Sequence, residues 1–372
     1  MENKKNTHRT AVVMLACKDY RAMELALACH MAYRPLNIPF FVLQNCRGGY
    51  DAERTYEVGL RYAQLFPNVV KVVDWLPPGP AYRTISLLLE SPELSGFDLI
   101  CKVDDDAFPI APGWLDRMLD VWDLSNETNS EKLAYVTPLI NNNCWGFSET
   151  LDVMDLTKDY FREQAHIHYA GGDNEVGQLR IVPKDQILTG RRGTIWGYPH
   201  IARWIHERTT FKPDEFILAT HGLSPIDVPS KERYSIGCIL FRPALWKKID
   251  DGVSSDDEGM MHMFCAKNEL RIVCARDVPF IHLAYFTQRE ENRDITDRAQ
   301  VFYESRLGHP FPIALYPDRM LDIETRIRML ETEIRLQLPN TDTQGRSLNP
   351  RIFFTRVITR VMRRLRRILR LN

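Results

Sequence analysis

The sequence predicts an α/β fold built on a mostly parallel sheet flanked by helices, and three observations carry that expectation. Apolar runs that read as buried strands alternate with stretches of helical character through the N-terminal third. Such alternation implies a sheet with helices on both faces. The composition, 44% apolar and 26% charged over 372 residues, is that of a globular chain able to bury one large domain or two modest ones. The fourth of the early strands ends in three consecutive aspartates, at the edge where such sheets bind their ligands.

The elements follow in order. After the polar start Met1–Arg9, Ala11–Ala16 reads as the first strand, ending at Cys17-Lys18-Asp19-Tyr20, and Arg21–Tyr33 as the first helix. Pro39–Leu43 is a second strand, closed by Gln44-Asn45-Cys46-Arg47-Gly48-Gly49, and a helical stretch near Glu53–Leu65 leads to the strand Asn68–Val73. A helix over 84–90 and a fourth strand over Phe97–Val103 complete this half. From Asn141 to Ser235 the pattern loosens around Trp145, Gly171-Gly172, Gly190–Gly193, Trp196 and Trp204. A strand over Ile236–Arg242, a helix near Pro243–Ile249, an acidic loop and a helix near Gly259–Asn268 come next. The strand Leu270–Cys274 and the apolar Val278–Ile281 then precede His282. Residues 320–338 pattern as an amphipathic helix with Ile323, Ile327, Leu330 and Ile334 on one face, able to pack on the main domain or pair with a second copy in a homo-oligomer. The expected division is one large domain over 10–300 in two halves (10–140 and 141–300), a helical extension over 301–338, a linker over 339–350 and a basic helix over 351–372.

Asp104, Asp105 and Asp106 at a strand end are costly, because like charges repel and partial removal from water penalises each ionised group. A divalent cation resolves both problems, and hard oxygen ligands with open positions suit Mg2+ or Mn2+ carrying a diphosphate. Taken alone, a solvated acidic turn or a helix N-cap accounts for the same string. Its surroundings say more. The segment Phe97-Asp98-Leu99-Ile100-Cys101-Lys102-Val103-Asp104-Asp105-Asp106-Ala107-Phe108, followed by the Trp114-Leu115 helix, resembles the DXD segment of GT-A glycosyltransferases. The layout is similar to that of the family 2 enzymes over roughly residues 10–290, and Lys102–Phe108 is also similar to the β-1,3-galactosyltransferases. The resemblance implies a GT-A, Rossmann-like fold, a nucleotide-sugar donor and a Mn2+ or Mg2+ cofactor. It assigns the metal to Asp106, the ribose and part of the metal to Asp104, and an auxiliary donor contact to Asp105.

A second constellation, Asp256-Asp257-Glu258, follows the small-residue segment Ser235–Arg242. A sugar hydroxyl is a poor nucleophile at neutral pH, so a carboxylate within hydrogen-bond reach is needed as base. By the resemblance that base is Asp257, or Glu258 in its place; N-capping acids at a helix start give the same pattern without catalysis. The resemblance also offers His282 as a further metal ligand, an imidazole being acceptable to Mn2+. Ala16, Lys18, Asp19 and Asn45 fall at strand ends where the family grips the nucleotide, and Arg83 and Lys102 are candidates to offset diphosphate charge.

Bulk properties bound the rest. A net charge of −1 hides a tail whose last 22 residues carry eight arginines and no acid. Phe354, Ile358, Val361, Leu365, Ile368 and Leu369 recur there near helical spacing, which predicts a helix lying on an anionic membrane surface, with nucleic acid the less favoured partner. Eight cysteines without a C-x-x-C pair read as reduced thiols. With no membrane-spanning run and no signal-peptide pattern, the expected location is cytoplasmic, peripheral to the inner membrane. The function so implied is transfer of a sugar from a UDP-sugar to a lipid-linked or cell-surface glycan, as in bacterial polysaccharide biosynthesis. The alternatives are a sugar nucleotidyltransferase, against which the lack of a G-x-G-x-R-like segment near residues 14–22 counts, and a non-catalytic glycan-binding scaffold on the same fold.

Overall fold

A computed structural model describes residues 8–17, 19–35, 37–45, 50–77, 79–129, 132–141, 144–163, 199–229, 234–249, 257–283, 292–308 and 311. The chain divides after Phe311, and everything described lies before that division. Lys18, Arg191, Arg192, Trp196, Asp256, Tyr285, Arg289, the 320–338 helix, the linker and the basic tail lie outside the described residues.

Four strands open the chain: β1 (Thr10–Ala16), β2 (Phe40–Gln44), β3 (Val70–Val73) and β4 (Leu99–Asp104). They run parallel in the order β3-β2-β1-β4, and α1 (Tyr20–Ala32), α2 (Tyr50–Leu65) and α3 (Ala81–Leu89) make the crossovers that parallel pairing demands. β1 and β2 are buried along nearly their whole length, so they appear in the sequence as apolar runs without alternation. α1 starts where the Asp19 carboxylate accepts the Ala22 amide at 3.1 Å, an N-cap. α2 approaches the sheet closely because Gly59 has no side chain; a Cβ there would meet Val42 at 3.3 Å and Val72 at 3.4 Å.

Beyond β4 the sheet becomes mixed. β5 (Ala107–Pro109) and α4 (Trp114–Asn129) lead to β6 (Leu133–Ile140). The helices α5 (Cys144–Val153), α6 (Thr157–Glu163), α7 (Pro199–His206) and α8 (Pro213–Thr220) precede the two-residue β7 (Ile226–Asp227). β8 (Cys238–Phe241), α9 (Pro243–Ile249), α10 (Asp257–Lys267), β9 (Arg271–His282) and α11 (Arg293–Leu307) complete the described part. Among the described residues the order is β3-β2-β1-β4-β8-β6-β9-β5, with β7 on β9. β8 is antiparallel to both β4 and β6, while β6 and β9 are parallel. The expected mostly parallel sheet flanked by helices is therefore present, with its antiparallel pairings confined to the half beyond β4.

Two elements depart from the sequence pattern. β6, all eight residues buried, lies between β8 and β9 although no strand is legible there: Pro138 interrupts it, and burial on both faces removes any alternation. Leu270–Cys274 and Val278–Ile281 belong to one strand, β9, whose register against β6 shifts between Pro138 and Leu139.

α5, α6 and α7 share a satellite core of Phe147, Leu151, Tyr160, Ile201, Trp204 and Ile205. Trp204 belongs to that core and donates its indole N–H to Glu163 at 2.7 Å. Cys17, Cys29, Cys101, Cys238, Cys265 and Cys274 are free thiols, and all of these but Cys17 are buried. No described helix is long and apolar enough to cross a membrane.

Candidate metal centre

Backbone pairing, more than any local motif, brings the acidic residues together. β4 ends at Asp104, beside Leu15 of β1, and the Asp104 amide donates to the Gly237 carbonyl at 2.8 Å, just ahead of β8. A turn at Asp105 and Asp106 then sends the chain into β5. β5 pairs antiparallel with the end of β9 so that Ala107 lies opposite His282, and the Leu283 amide donates to the Asp106 carbonyl at 3.0 Å. That register sets the two side chains face to face: His282 Nε2 is 2.9 Å from Asp106 Oδ1, both residues being buried.

Asp104, Asp106 and His282 each offer one ligand atom, and these atoms all lie within 4.8 Å of one another. With metal–oxygen bonds near 2.1 Å, ligands on opposite sides of a small divalent ion stand about 4.2 Å apart, so a slight contraction would close the set around one. Two carboxylates and an imidazole are a donor set that Mn2+ and Mg2+ accept. Gly237 borders two of the three ligands: a Cβ on it would lie 3.1 Å from Ser235 Oγ, 3.5 Å from Asp104 Oδ2 and 3.6 Å from His282 Nδ1.

The electrostatics fit a site made for positive charge. Burial pushes the His282 pKa down, but Asp106, reinforced by Asp104 and Glu258, outweighs it and holds the imidazole above its ordinary value. Lys102, 1% exposed, behaves alike: burial opposes its charge, and Asp104, Asp257 and Glu258 more than restore it. Its ammonium donates to Asp104 Oδ1 at 2.5 Å and to the Ile236 carbonyl at 2.9 Å.

The other sequence candidates fall in distinct places. Asp105 is not one of the three and accepts the Cys17 amide on its Oδ2 at 2.7 Å, tying the turn after β4 to the end of β1. Asp257 and Glu258 open α10, where Asp257 Oδ1 accepts the Glu258 amide at 3.0 Å. Glu258 Oε2 lies 3.4 Å from the Ile236 amide, and the charges of both acids reach Lys102. Ala16 and Asn45 end β1 and leave β2, linked by the Asn45 amide donating to the Ala16 carbonyl at 3.1 Å; both are buried at the carboxyl edge. Asp19 caps α1, and Arg83 is exposed on α3.

Sequence reasoning missed the supports of His282. Asn141, just past β6 and fully buried, accepts the His282 amide on Oδ1 at 3.0 Å and donates from Nδ2 to Thr209 Oγ1 at 2.8 Å. His30 of α1 hydrogen-bonds the Ala107 carbonyl through Nε2 at 3.0 Å, steadying β5 from behind. A histidine in an apolar helix was the signal available for His30; nothing in the sequence marked Asn141, because the strand it follows is itself illegible.

No family model and no curated protein matches the sequence. Among solved structures, a mannosyltransferase from Pyrobaculum calidifontis, in complex with GDP-Man and Mn2+, aligns at 11% identity and a TM-score of 0.40. That alignment covers 80% of this chain and 65% of the mannosyltransferase, less than two thirds of its length. The glucosyl-3-phosphoglycerate synthase of Mycobacterium tuberculosis, in complex with Mn2+, UDP and glucosyl-3-phosphoglycerate, aligns at 12% identity and a TM-score of 0.34 over 83% of each chain. At such overlap neither neighbour assigns an activity or a ligand to this chain.

Proposed function

We propose that this chain is a metal-dependent glycosyltransferase of the GT-A type, moving a sugar from a UDP-sugar to a lipid-linked or cell-surface glycan. The observation that carries the proposal is the Asp104–Asp106–His282 group at the carboxyl edge of the sheet; the negative charge of Glu258 is felt by both His282 and Lys102, and that of Asp257 by Lys102. When bound, Mn2+ or Mg2+ would supply positive charge to the leaving diphosphate.

The chain's own residues do the remaining work in this proposal. Asp104, Asp106 and His282 hold the ion, and the backbone around Gly237 lets the diphosphate come close. Ala16 and Asn45 border the nucleotide, with Lys18, Asp19 and Arg83 as further donor contacts. Asp257, or Glu258, takes the proton from the acceptor hydroxyl as its oxygen attacks the anomeric carbon. The basic segment 351–372 holds the protein on an anionic membrane, where a lipid-linked acceptor resides.

Incubating the full chain with UDP-sugars tests the proposal. Mn2+-dependent release of UDP that is lost in Asp106→Ala is the expected result. Absence of turnover and of Mn2+-dependent UDP binding would favour the scaffold alternative.

A further inference from the structure

We propose that Lys102 is a selectivity-determining positioning residue: it confines Asp104 to one-oxygen coordination and thereby favours Mn2+ or Mg2+ over Ca2+. This rests on the metal reading of the Asp104–Asp106–His282 group.

Lys102 and Asp104 lie two apart on β4 and so share a face of the sheet. The ammonium is held at two points, Asp104 Oδ1 at 2.5 Å and the Ile236 carbonyl at 2.9 Å. The second anchor is itself fixed, because the Asp104 amide donates to Gly237 and the Ile236 amide reaches Glu258. Swinging Lys102 out of the site would break both of its bonds and leave Asp104 without its buried cation. At 1% exposure its charge is committed to Asp104 and is not presented to a diphosphate, a different role from the one its position in the sequence suggests.

The two oxygens of Asp104 are thereby made unequal. Oδ1 is taken up by a charge-assisted hydrogen bond. Oδ2 faces the gap at Gly237, 3.5 Å from the position a Cβ would occupy, and His282 Nδ1 borders the same gap at 3.6 Å. The ammonium on Oδ1 repels a second cation from that oxygen, which leaves Oδ2 as the favoured point of contact with Asp104. Small divalent ions in octahedral geometry are content with single oxygens, whereas Ca2+ takes six to eight and commonly draws two from one carboxylate. Denying the second oxygen costs Ca2+ more.

Calorimetric titration of the full chain with MnCl2 and with CaCl2, in wild type, Lys102→Met and Lys102→Gln, tests this. The ratio of the two affinities is the informative quantity, since loss of a positive charge shifts both divalent ions alike. In Lys102→Met, Asp104 is free to offer both oxygens, and the Mn2+-to-Ca2+ ratio should fall by about tenfold, the lower end of what outer-shell partners contribute. Lys102→Gln retains an N–H donor for Oδ1 without the charge and should keep the wild-type ratio. An unchanged ratio in folded Lys102→Met overturns the proposal. Should the Met variant fail to fold, a Gln variant that loses the ratio overturns it equally, because the donor would then not be what matters. A wild type that binds Mn2+ while these ratios fail sinks this proposal alone; a wild type that binds neither ion sinks the metal reading with it.

Discussion

Two buried histidines of this protein meet opposite electrostatic fates. His30 sits on α1 among the rings of Phe40, Trp114 and Phe280, with centroids 5.3 to 5.9 Å away, and burial pushes its pKa down to about 3. His282, also buried, is held above its ordinary value by Asp106. Burial alone therefore does not decide the charge of an imidazole here; the neighbouring carboxylate does. The apolar box uses histidine as a neutral donor to the Ala107 carbonyl, and the acidic edge uses it as a group matched to positive charge.

The largest effect should come from removing that carboxylate. Asp106→Asn should give His282 surroundings more like those of His30, so its imidazole pKa in metal-free protein, followed by NMR, should fall below the ordinary value. The same variant should lose Mn2+ affinity by more than about a hundredfold, the upper end for outer-shell partners and a floor for a ligand. An His282 that still titrates high would mean that Asp104 or Glu258 governs it instead.

Next comes the base. Asp257→Asn and Glu258→Gln leave the three candidate ligands in place, so Mn2+ binding should persist while sugar transfer falls by roughly 10²–10⁴-fold in one of them. Whichever variant keeps full transfer is not the base, and two active variants would falsify the assignment.

The apolar box has its own signature, in acid. His30 has a folded pKa of about 3 against an ordinary 6.5. Below the ordinary value the unfolded chain takes up a proton that the folded chain refuses. Stability is therefore complete above that value and declines as pH falls, by roughly 1.4 kcal/mol per unit until the folded pKa is reached. Urea unfolding between pH 7 and 4 should show the slope. His30→Gln, which does not titrate, should flatten it although the variant is less stable at neutral pH. An equal slope in both proteins would move the acid sensitivity elsewhere, with His206, lowered by burial to about 4, the next candidate.

How much of this was legible depended on whether the cause was local. β1 to β4 were, because each is mainly apolar, with only Lys71 inside β3 and Lys102 inside β4 breaking the run, and Asp104 to Asp106 were, because three carboxylates at a strand end announce themselves. β6 was not, since total burial and Pro138 erase the pattern that marks a strand. The bond from Lys102 to the Ile236 carbonyl spans 134 positions and that from His282 to Asn141 spans 141, so no window along the chain contains both partners. The residues of the candidate site could be picked out singly, but their supports are a product of sheet order.

The smallest effect follows from those supports. Asn141 joins the ends of β6 and β9 and reaches Thr209 beyond α7, and Thr209 Oγ1 donates to the Ile205 carbonyl at 2.8 Å. Asn141→Ala removes the acceptor from the His282 amide but leaves the Asn141 amide on the Phe280 carbonyl, so the strand end keeps one tie. The orphaned buried N–H should cost about 1–3 kcal/mol of stability. A less constrained His282 should also weaken Mn2+ binding by about tenfold, less than the loss of Asp106. Asn141→Asp restores an acceptor at the same position and should recover part of the affinity, a response that a purely structural role would not produce. If Asn141→Ala is destabilised yet binds Mn2+ as wild type does, its contact with His282 serves the fold alone.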